Sequence, residues 1–137
     1  GDPETQVVLP LLETDIMDII EAIWEEKLDT LDIKWSDKSC ACVVMASGGY
    51  PEKYETGKVI SGLDENGQCE GAFVYHAGTK LEDGKFLTAG GRVLGITAYG
   101  DTLQEALDTA YKAVGTISFE KAHYRHDIGK KALSALK

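Results

Sequence analysis

The 137-residue sequence contains no apolar run of about 20 residues, only three cysteines and only two arginines. Without a long apolar run, no helix is expected to span a membrane. An odd cysteine count, with Cys40 and Cys42 only two residues apart, is atypical of a disulfide framework and favours reduced thiols. No basic region followed by an apolar stretch opens the chain, so we predict no signal peptide and a cytoplasmic location.

The charge balance is strongly acidic. The formal net charge is −9 at pH 7, which disfavours nucleic acid and membrane surfaces as partners because both are polyanionic. If the protein binds an anion, it must build a local positive site against its own field. Each cation in an unusual setting is therefore a candidate for function.

Apolar spacing predicts two amphipathic helices. The first is predicted to be capped by Thr14, with its apolar face formed at helical spacing by Ile16, Ile19, Ile20, Ile23 and Lys27. The second covers "DTLQEALDTAYKAVGT", with Asp101 or Thr102 as the N-cap and Gly115 as the C-cap. Its buried face is predicted to contain Leu103, Ala106, Leu107, Ala110 and Val114. A short helix before Pro10, with Asp2 as N-cap and Pro3 in its first turn, is also predicted.

Strands are predicted between the two helices. Residues 39–47 form a continuous apolar, β-branched run that is typical of a strand buried on both faces. Further strands are predicted at 71–78, at 92–100 with a break at Gly95, and more weakly at 58–63. A hairpin is predicted over 79–88, because Asp83-Gly84 suits a type I′ turn and places Leu81 opposite Phe86. Together these elements predict an α+β domain with a mainly antiparallel sheet and helices packed on one face.

Arg92 is the most unusual cation in the sequence, because it follows two glycines at the head of an apolar strand. Gly90 and Gly91 lack side chains, so a ligand or another backbone can approach closely, and their N–H groups can bind an anion. A guanidinium grips phosphate or carboxylate through two hydrogen bonds. Lys80, on the hairpin that leads into this loop, is a possible second cation. An ordinary edge arginine with its charge in water is an equally open interpretation.

The other candidate residues favour structural roles. "SGGYP" (47–51) matches no phosphate-loop pattern and is predicted to be a plain turn. His76, at the end of a strand, is predicted to be a hydrogen-bonded structural histidine. His123 and His126 could seat a metal on a helix, but they lack acidic or cysteine partners at a convincing spacing, so no metal site is predicted. No nucleophile–base arrangement can be assembled, so no catalytic residue is predicted.

Five stretches carry a resemblance to a known family: "GDPETQVVLPLL" (1–12), "VVMASGGYPEKYETGKVISGL" (43–63), "HAGTKLEDGK" (76–85), "GGRVLGITA" (90–98) and "HYRHDIG" (123–129). In these stretches the chain resembles the C-terminal part of the phosphoribosylamine–glycine ligase (glycinamide ribonucleotide synthetase) family, which are ATP-grasp enzymes of de novo purine biosynthesis. The departures are minor, such as His126 where a lysine is common. The resemblance implies that residues 1–13 end the ATP-grasp domain and that residues 14–137 are the C-terminal domain.

The resemblance also implies a reaction. In that family ATP phosphorylates the glycine carboxylate, and the amine of 5-phosphoribosylamine then displaces the phosphate. ATP and Mg²⁺ are expected to bind mainly to residues outside this sequence, including a glutamate and an asparagine just upstream of Gly1. The chain is therefore expected to need the N-terminal and ATP-grasp domains as partners and to be inactive alone.

Site residues follow from the same resemblance. Arg92 and Lys80 are implied to hold the 5′-phosphate beside Gly90 and Gly91, with Lys85 as an alternative to Lys80. Asp2 is implied to contact the substrate amine. Two other functions stay open from the residues alone: a module that binds a phosphorylated metabolite without catalysis, and a purely structural domain.

Overall fold

The computed structural model describes residues 1–135, and its regular elements follow the order expected for an α+β domain. Four helices are present: α1 (Thr5–Val8), α2 (Ile16–Trp24), α3 (Leu103–Val114) and α4 (Lys130–Ala135). Five strands lie between α2 and α3: β1 (Ser39–Ala46), β2 (Phe73–His76), β3 (Thr79–Glu82), β4 (Lys85–Thr88) and β5 (Arg92–Gly100). Short 3₁₀ turns occupy Leu9–Leu11 and Leu28–Thr30. The short helix α4 was not predicted from the sequence.

The sheet is antiparallel, as predicted. Strand β5 lies in its centre, between β1 and β2, while β3 and β4 form a separate hairpin. The predicted break at Gly95 is wrong, because Gly95 pairs with Val44 on one side and Tyr75 on the other, and the ladder continues through it. The predicted strand at 58–63 is also wrong, since this segment makes only isolated bridges through Val59 and Ser61.

The hairpin has the predicted turn and register. Asp83 and Gly84 have φ values of 50° and 72°, the left-handed conformation that a type I′ turn requires. Leu81 pairs with Phe86. Local turn chemistry alone therefore positions Lys80, because the register of the strand follows from the turn.

One face of the sheet packs against α3. The buried side chains from the strands and from α3 form one cluster, which includes Val43, Met45, Leu94, Ile96, Ala98, Ala110, Ala113 and Val114. Burial of each Val, Leu or Ile side chain contributes about 1.5–3 kcal/mol to stability.

Helix α3 begins with a capping box. The Thr102 side chain accepts a hydrogen bond from the Glu105 N–H, and the Glu105 side chain accepts one from the Thr102 N–H. Thr102 is thus the N-cap and Gly115 the C-cap.

The opposite face of the sheet is covered by the N-terminal segment (residues 1–12), which runs along β5. Contacts recur in the same order along both: Arg92 pairs with Asp2, a side chain added at Gly95 would meet Gln6, and the Tyr99 hydroxyl donates to the Pro10 carbonyl at 3.3 Å. Helices therefore lie on both faces, α3 on one and the short α1 on the other.

Two predicted helix caps are wrong. Helix α1 begins at Thr5 with Glu4 at its N-cap position, so Asp2 is not the N-cap. Helix α2 is capped by Asp15, whose carboxylate accepts the Met17 N–H at 2.8 Å. Thr14 instead accepts the N–H of Lys34 at 2.7 Å, which ties the start of α2 to a later segment.

Helix α2 has the predicted apolar spacing, but its apolar face is uncovered. None of its residues is buried, and Ile20 and Ile23 are 50% and 56% exposed. The helix ends at Trp24, so Lys27 lies beyond the predicted stripe. Among the helices of residues 1–135, none has both the length and the apolar character needed to cross a membrane.

Candidate functional site

The loop before β5 is held by a buried serine at the end of β1. The Ser47 hydroxyl donates to the Gly90 carbonyl at 2.8 Å, and the Ser47 N–H donates to the Gly91 carbonyl at 2.8 Å. Ser47 is 2% exposed. The two glycine carbonyls are thus satisfied. Within residues 1–135, neither the Gly90 nor the Gly91 N–H donates a hydrogen bond.

Both glycines are closely packed against neighbouring groups. A Cβ on Gly90 would lie 3.2 Å from the Gly78 Cα, and one on Gly91 would lie 2.2 Å from the Tyr50 ring. Tyr54 packs beside Tyr50, with the ring centroids 6.1 Å apart. The backbone of Gly78 therefore occupies the space beside Gly90 that sequence analysis assigned to a ligand or another backbone. Neither Gly90 nor Gly91 has a positive φ, so their N–H groups are not arranged in a left-handed nest.

Arg92 and Asp2, predicted as separate substrate contacts, form an ion pair with each other. The Arg92 Nε lies 3.1 Å from Asp2 Oδ2, and Nη1 donates to the Asp2 carbonyl at 3.1 Å. The two side chains remain 42% and 37% exposed. Nη2 makes no hydrogen bond to the part of the chain that the structure describes. The guanidinium is thus oriented by Asp2, and its Nη2 donors are available to a ligand.

Gln6 extends this pair into the protein and was missed by sequence analysis. Its Nε2 donates to Asp2 Oδ1 at 3.4 Å. Its Oε1 is buried and has no hydrogen-bond partner among residues 1–135. The spacing of four residues between Asp2 and Gln6 was the only available signal. Buried polar atoms without partners are uncommon in proteins.

The structure does not bring the predicted lysines to this corner. Lys80 on β3 forms an ion pair with Glu82 on the same strand. Among residues 1–135, neither Lys80 nor Lys85 forms a hydrogen bond or ion pair with Asp2, Arg92 or the two glycines. Arg92 is therefore the cation that directly adjoins the glycine loop.

The three histidines make contacts that stabilise the fold. The two ring nitrogens of His76 lie 2.8 Å from Thr79 Oγ1 and 2.9 Å from the Gly67 carbonyl, as a structural histidine requires. The His123 backbone pairs with Ala46, and His126 stacks on Tyr111. The proposed helix for a histidine metal pair does not exist, because α4 begins later, at Lys130. Within residues 1–135, no three His, Cys, Asp or Glu side chains converge to hold a metal ion.

The cysteines are poor nucleophiles. Burial, and then the neighbouring Cys42, raises the pKa of Cys40 to about 11. Burial also raises the pKa of Cys42, although a hydrogen bond with Thr97 opposes the shift. Because the thiolate is the reactive form, neither cysteine is activated for chemistry.

A cavity of 490 Å³ lies beside the N-terminal segment. Its walls come from that segment and from the end of β2: Gly1, Thr5, Gln6, Leu9, Pro10, Tyr75 and His76. Arg92 does not line this cavity. Gln6 connects the two features, because it lines the cavity and contacts Asp2.

Comparison with protein families gives one match that covers most of the chain. Residues 40–131 match the family described as "Phosphoribosylglycinamide synthetase, C domain". The matched range contains α3 and all five strands except Ser39, the first residue of β1. Asp2 and Gln6 lie before it.

Individual relatives extend the similarity to the N-terminal segment. The chain is 54% identical over 128 residues to a phosphoribosylamine–glycine ligase of Caldanaerobacter subterraneus subsp. tengcongensis, covering 93% of the chain and 30% of that protein. It is 50% identical to a bifunctional purine biosynthetic protein of Dictyostelium discoideum, covering 99% of the chain and 17% of that protein. The crystal structure of a phosphoribosylamine–glycine ligase from Thermotoga maritima superposes with a TM-score of 0.72 at 32% identity, over 93% of this chain and 30% of that one. The chain thus spans about a third or less of these relatives.

Proposed function

Since the chain belongs to the phosphoribosylglycinamide synthetase C-domain family, we propose that it forms the C-terminal part of a ligase that joins glycine to 5-phosphoribosylamine with ATP. The observation that carries this proposal is the 54% identity, over 93% of the chain, to a protein named phosphoribosylamine–glycine ligase. The chain is similar both to a ligase with a single named function and to a bifunctional protein. The proposed ligase is therefore compatible with either kind of polypeptide.

Within that enzyme, the proposed role of this chain is to bind the phosphate end of 5-phosphoribosylamine. Three features support it: the exposed guanidinium of Arg92, its Nη2 without a protein partner, and the N–H groups of Gly90 and Gly91. Charged hydrogen bonds to a phosphate are among the strongest available. In a protein of net charge −9, such a local donor cluster is needed to hold an anion.

Asp2 is proposed to serve the other end of the substrate. The amine and the 5′-phosphate lie at opposite ends of one ribose ring, and Asp2 and Arg92 offer complementary charges to those two ends. Lys80 and Lys85 stay as proposed second cations. For Lys80 to bind the phosphate, it must leave Glu82.

ATP and magnesium are proposed to act in the whole enzyme. The residues described here do not fit the metal, because no acidic or histidine cluster converges among residues 1–135. No step is therefore assigned to a metal held by this chain, and its own contribution is to bind and orient the sugar phosphate.

The test is the Arg92→Ala variant in a full-length ligase that carries this chain. Loss of one charged hydrogen bond costs about 1.5–3 kcal/mol, so KM for 5-phosphoribosylamine should rise about 10- to 150-fold. KM for ATP and glycine should change less than about twofold, because neither is bound by the phosphate contact. Arg125→Ala is the matched control, since Arg125 is the other arginine and is also paired with an aspartate, Asp127. Unchanged KM in Arg92→Ala would remove Arg92 from the site.

A structural role for Arg92 is a second candidate, and the ion pair with Asp2 favours it. If Arg92 only ties the N-terminal segment to β5, Arg92→Ala and Asp2→Ala should lower stability by the same amount, and the effects should not add in the double variant. An exposed pair of this kind contributes about 0.2–1 kcal/mol. KM would then stay unchanged while stability falls.

A further inference from the structure

The two arginines of the chain pair with aspartates in different ways. Arg125 Nε and Nη2 donate to the two carboxylate oxygens of Asp127, at 2.9 and 2.8 Å. Arg92 Nε lies 3.1 Å from Asp2 Oδ2, but its Nη1 donates to the main-chain carbonyl of Asp2, and its Nη2 makes no hydrogen bond within residues 1–135. The carboxylate of Asp127 therefore fills one complete side of its guanidinium, whereas that of Asp2 does not.

The contacts with Asp2 leave no complete pair of donors free on Arg92. A guanidinium binds an oxyanion most strongly through two parallel N–H groups, either Nε with Nη2 or Nη1 with Nη2. Asp2 contacts one donor of each pair, Nε through its carboxylate and Nη1 through its carbonyl. A phosphate can therefore bind Arg92 through two hydrogen bonds only if Asp2 gives up one of these contacts.

The carboxylate of Asp2 is the contact that is easier to displace. It belongs to a side chain that is 37% exposed and that can rotate, whereas displacing the carbonyl requires the main chain to move. Exposed ion pairs contribute little to stability, so a phosphate can compete with the carboxylate for Nε. The displaced carboxylate then needs a new donor, because its one other hydrogen bond within residues 1–135 is a long contact of 3.4 Å from Gln6 Nε2.

We propose that Asp2 exchanges Arg92 for the amine of the substrate when the phosphate binds, so that the ion pair selects a ligand that carries both groups. The phosphate takes Nε and Nη2 of Arg92, and an amine N–H donates to the freed carboxylate. This inference rests on the proposed function, that the chain binds 5-phosphoribosylamine, and adds that the two ends of that substrate are recognised jointly. A ligand with a phosphate alone breaks the ion pair without replacing it, and it therefore binds less tightly.

Methyl phosphate, which carries the phosphate alone, is the probe for the test. Its inhibition constant against 5-phosphoribosylamine, and KM for that substrate, are measured in a full-length ligase that carries this chain. Asp2→Asn removes the charge with little change of shape. The inhibition constant should fall about two- to fivefold, the size expected for release of an exposed ion pair. KM should rise about tenfold or more, because a charged hydrogen bond to the amine is lost.

Glu4→Gln is the matched control for the loss of one negative charge from the same segment. Glu4 stands at the N-cap position of α1 and is not the partner of Arg92, so both constants should change less than about 1.5-fold. Equal effects of Glu4→Gln and Asp2→Asn would overturn the exchange, because the general field would then explain them. So would an inhibition constant that does not fall in Asp2→Asn, or a KM that falls together with it.

Arg92→Ala separates this inference from the proposed function. It should raise the inhibition constant of methyl phosphate about tenfold or more, and adding Asp2→Asn to it should no longer lower that constant. If Arg92→Ala changes neither constant, the proposed phosphate site is wrong and the exchange fails with it. If Arg92→Ala weakens methyl phosphate but Asp2→Asn does not strengthen it, only the exchange is refuted. Calorimetric titration with methyl phosphate gives the same comparison for any variant that turns over too slowly for kinetics.

Discussion

The contact between Gly78 and Gly90 predicts that these two glycines respond very differently to the same substitution. A Cβ on Gly78 would lie 2.5 Å from the Arg92 carbonyl oxygen, 2.8 Å from the Gly90 Cα and 3.0 Å from the Gly90 N. All three are main-chain atoms, so no side chain can rotate away. Carbon contacts normally lie at about 3.5–4.0 Å, and the two backbones must therefore part by about 1 Å.

The expected cost of Gly78→Ala follows from this overlap. Overpacking of this kind lowers the free energy of unfolding by about 1–3 kcal/mol. In Gly90→Ala the new Cβ meets the Gly78 Cα at 3.2 Å and the Arg92 carbonyl at 3.5 Å, which a shift of a few tenths of an ångström relieves. Part of that smaller cost is offset, because alanine reduces the entropy of the unfolded chain by an equivalent of about 0.4–1 kcal/mol.

Urea unfolding of the two variants measures the difference. Gly78→Ala should show the lower midpoint, with at least about 1 kcal/mol less stability than Gly90→Ala and an unchanged m-value. If Gly90→Ala is equally or more destabilised, the backbone contact is not what requires glycine at 78. If Arg92 binds the phosphate of 5-phosphoribosylamine as proposed, Gly78→Ala should also raise KM for that substrate in the ligase, because the carbonyl that it displaces belongs to Arg92.

Three further predictions concern the core, the cap of α3 and the thiols. Leu94→Ala, at a fully buried position, should lower the free energy of unfolding in urea by about 2–5 kcal/mol. Ile20→Ala, on the exposed apolar side of α2, should lower it by less than about 0.5 kcal/mol. Similar losses in the two variants would show that α2 belongs to the core. Thr102→Ala should lower the free energy of unfolding by about 1 kcal/mol, because the capping box is lost. Asp101→Ala, at the adjacent residue, is the control and should have less than half that effect. Equal effects of the two substitutions would contradict the assignment of Thr102 as the N-cap. Because the thiolate is the reactive form, and the pKa of Cys40 is raised from 9.0 to about 11, its alkylation at pH 8 should be about a hundredfold slower than that of an ordinary thiol. The rate should keep rising with pH up to about pH 11, and a plateau near pH 9 would contradict the shift.

Elements determined by local chemistry could be predicted from the sequence. The Asp83-Gly84 turn fixes its own hairpin, and Thr102 with Glu105 begins α3 through bonds that span three residues. β1 was predicted from an uninterrupted apolar run and is found at Ser39–Ala46. In each case the determining groups are close together in the chain.

The site depends on contacts between residues far apart in the chain, which local patterns do not reveal. Arg92 and Asp2 were each singled out, but nothing in their spacing indicated that they pair across 90 residues. Gly95 was predicted to break its strand, because glycine weakens an isolated strand. Neighbours on both sides hold that strand together. Gly90 was associated with ligand approach, whereas the backbone of Gly78 takes that space.

The path of residues 1–12 along β5 has a practical consequence for how this protein can be divided. A fragment trimmed to the matched range, 40–131, would retain α3 and all the strands except Ser39, but it would lose the segment that packs on the second face of the sheet. Gly95 would lose its neighbour Gln6, and Arg92 would lose the carboxylate that orients it. The smallest piece that keeps the pair of Arg92 and Asp2 is therefore longer than the family domain, because it must include the first residues of the chain.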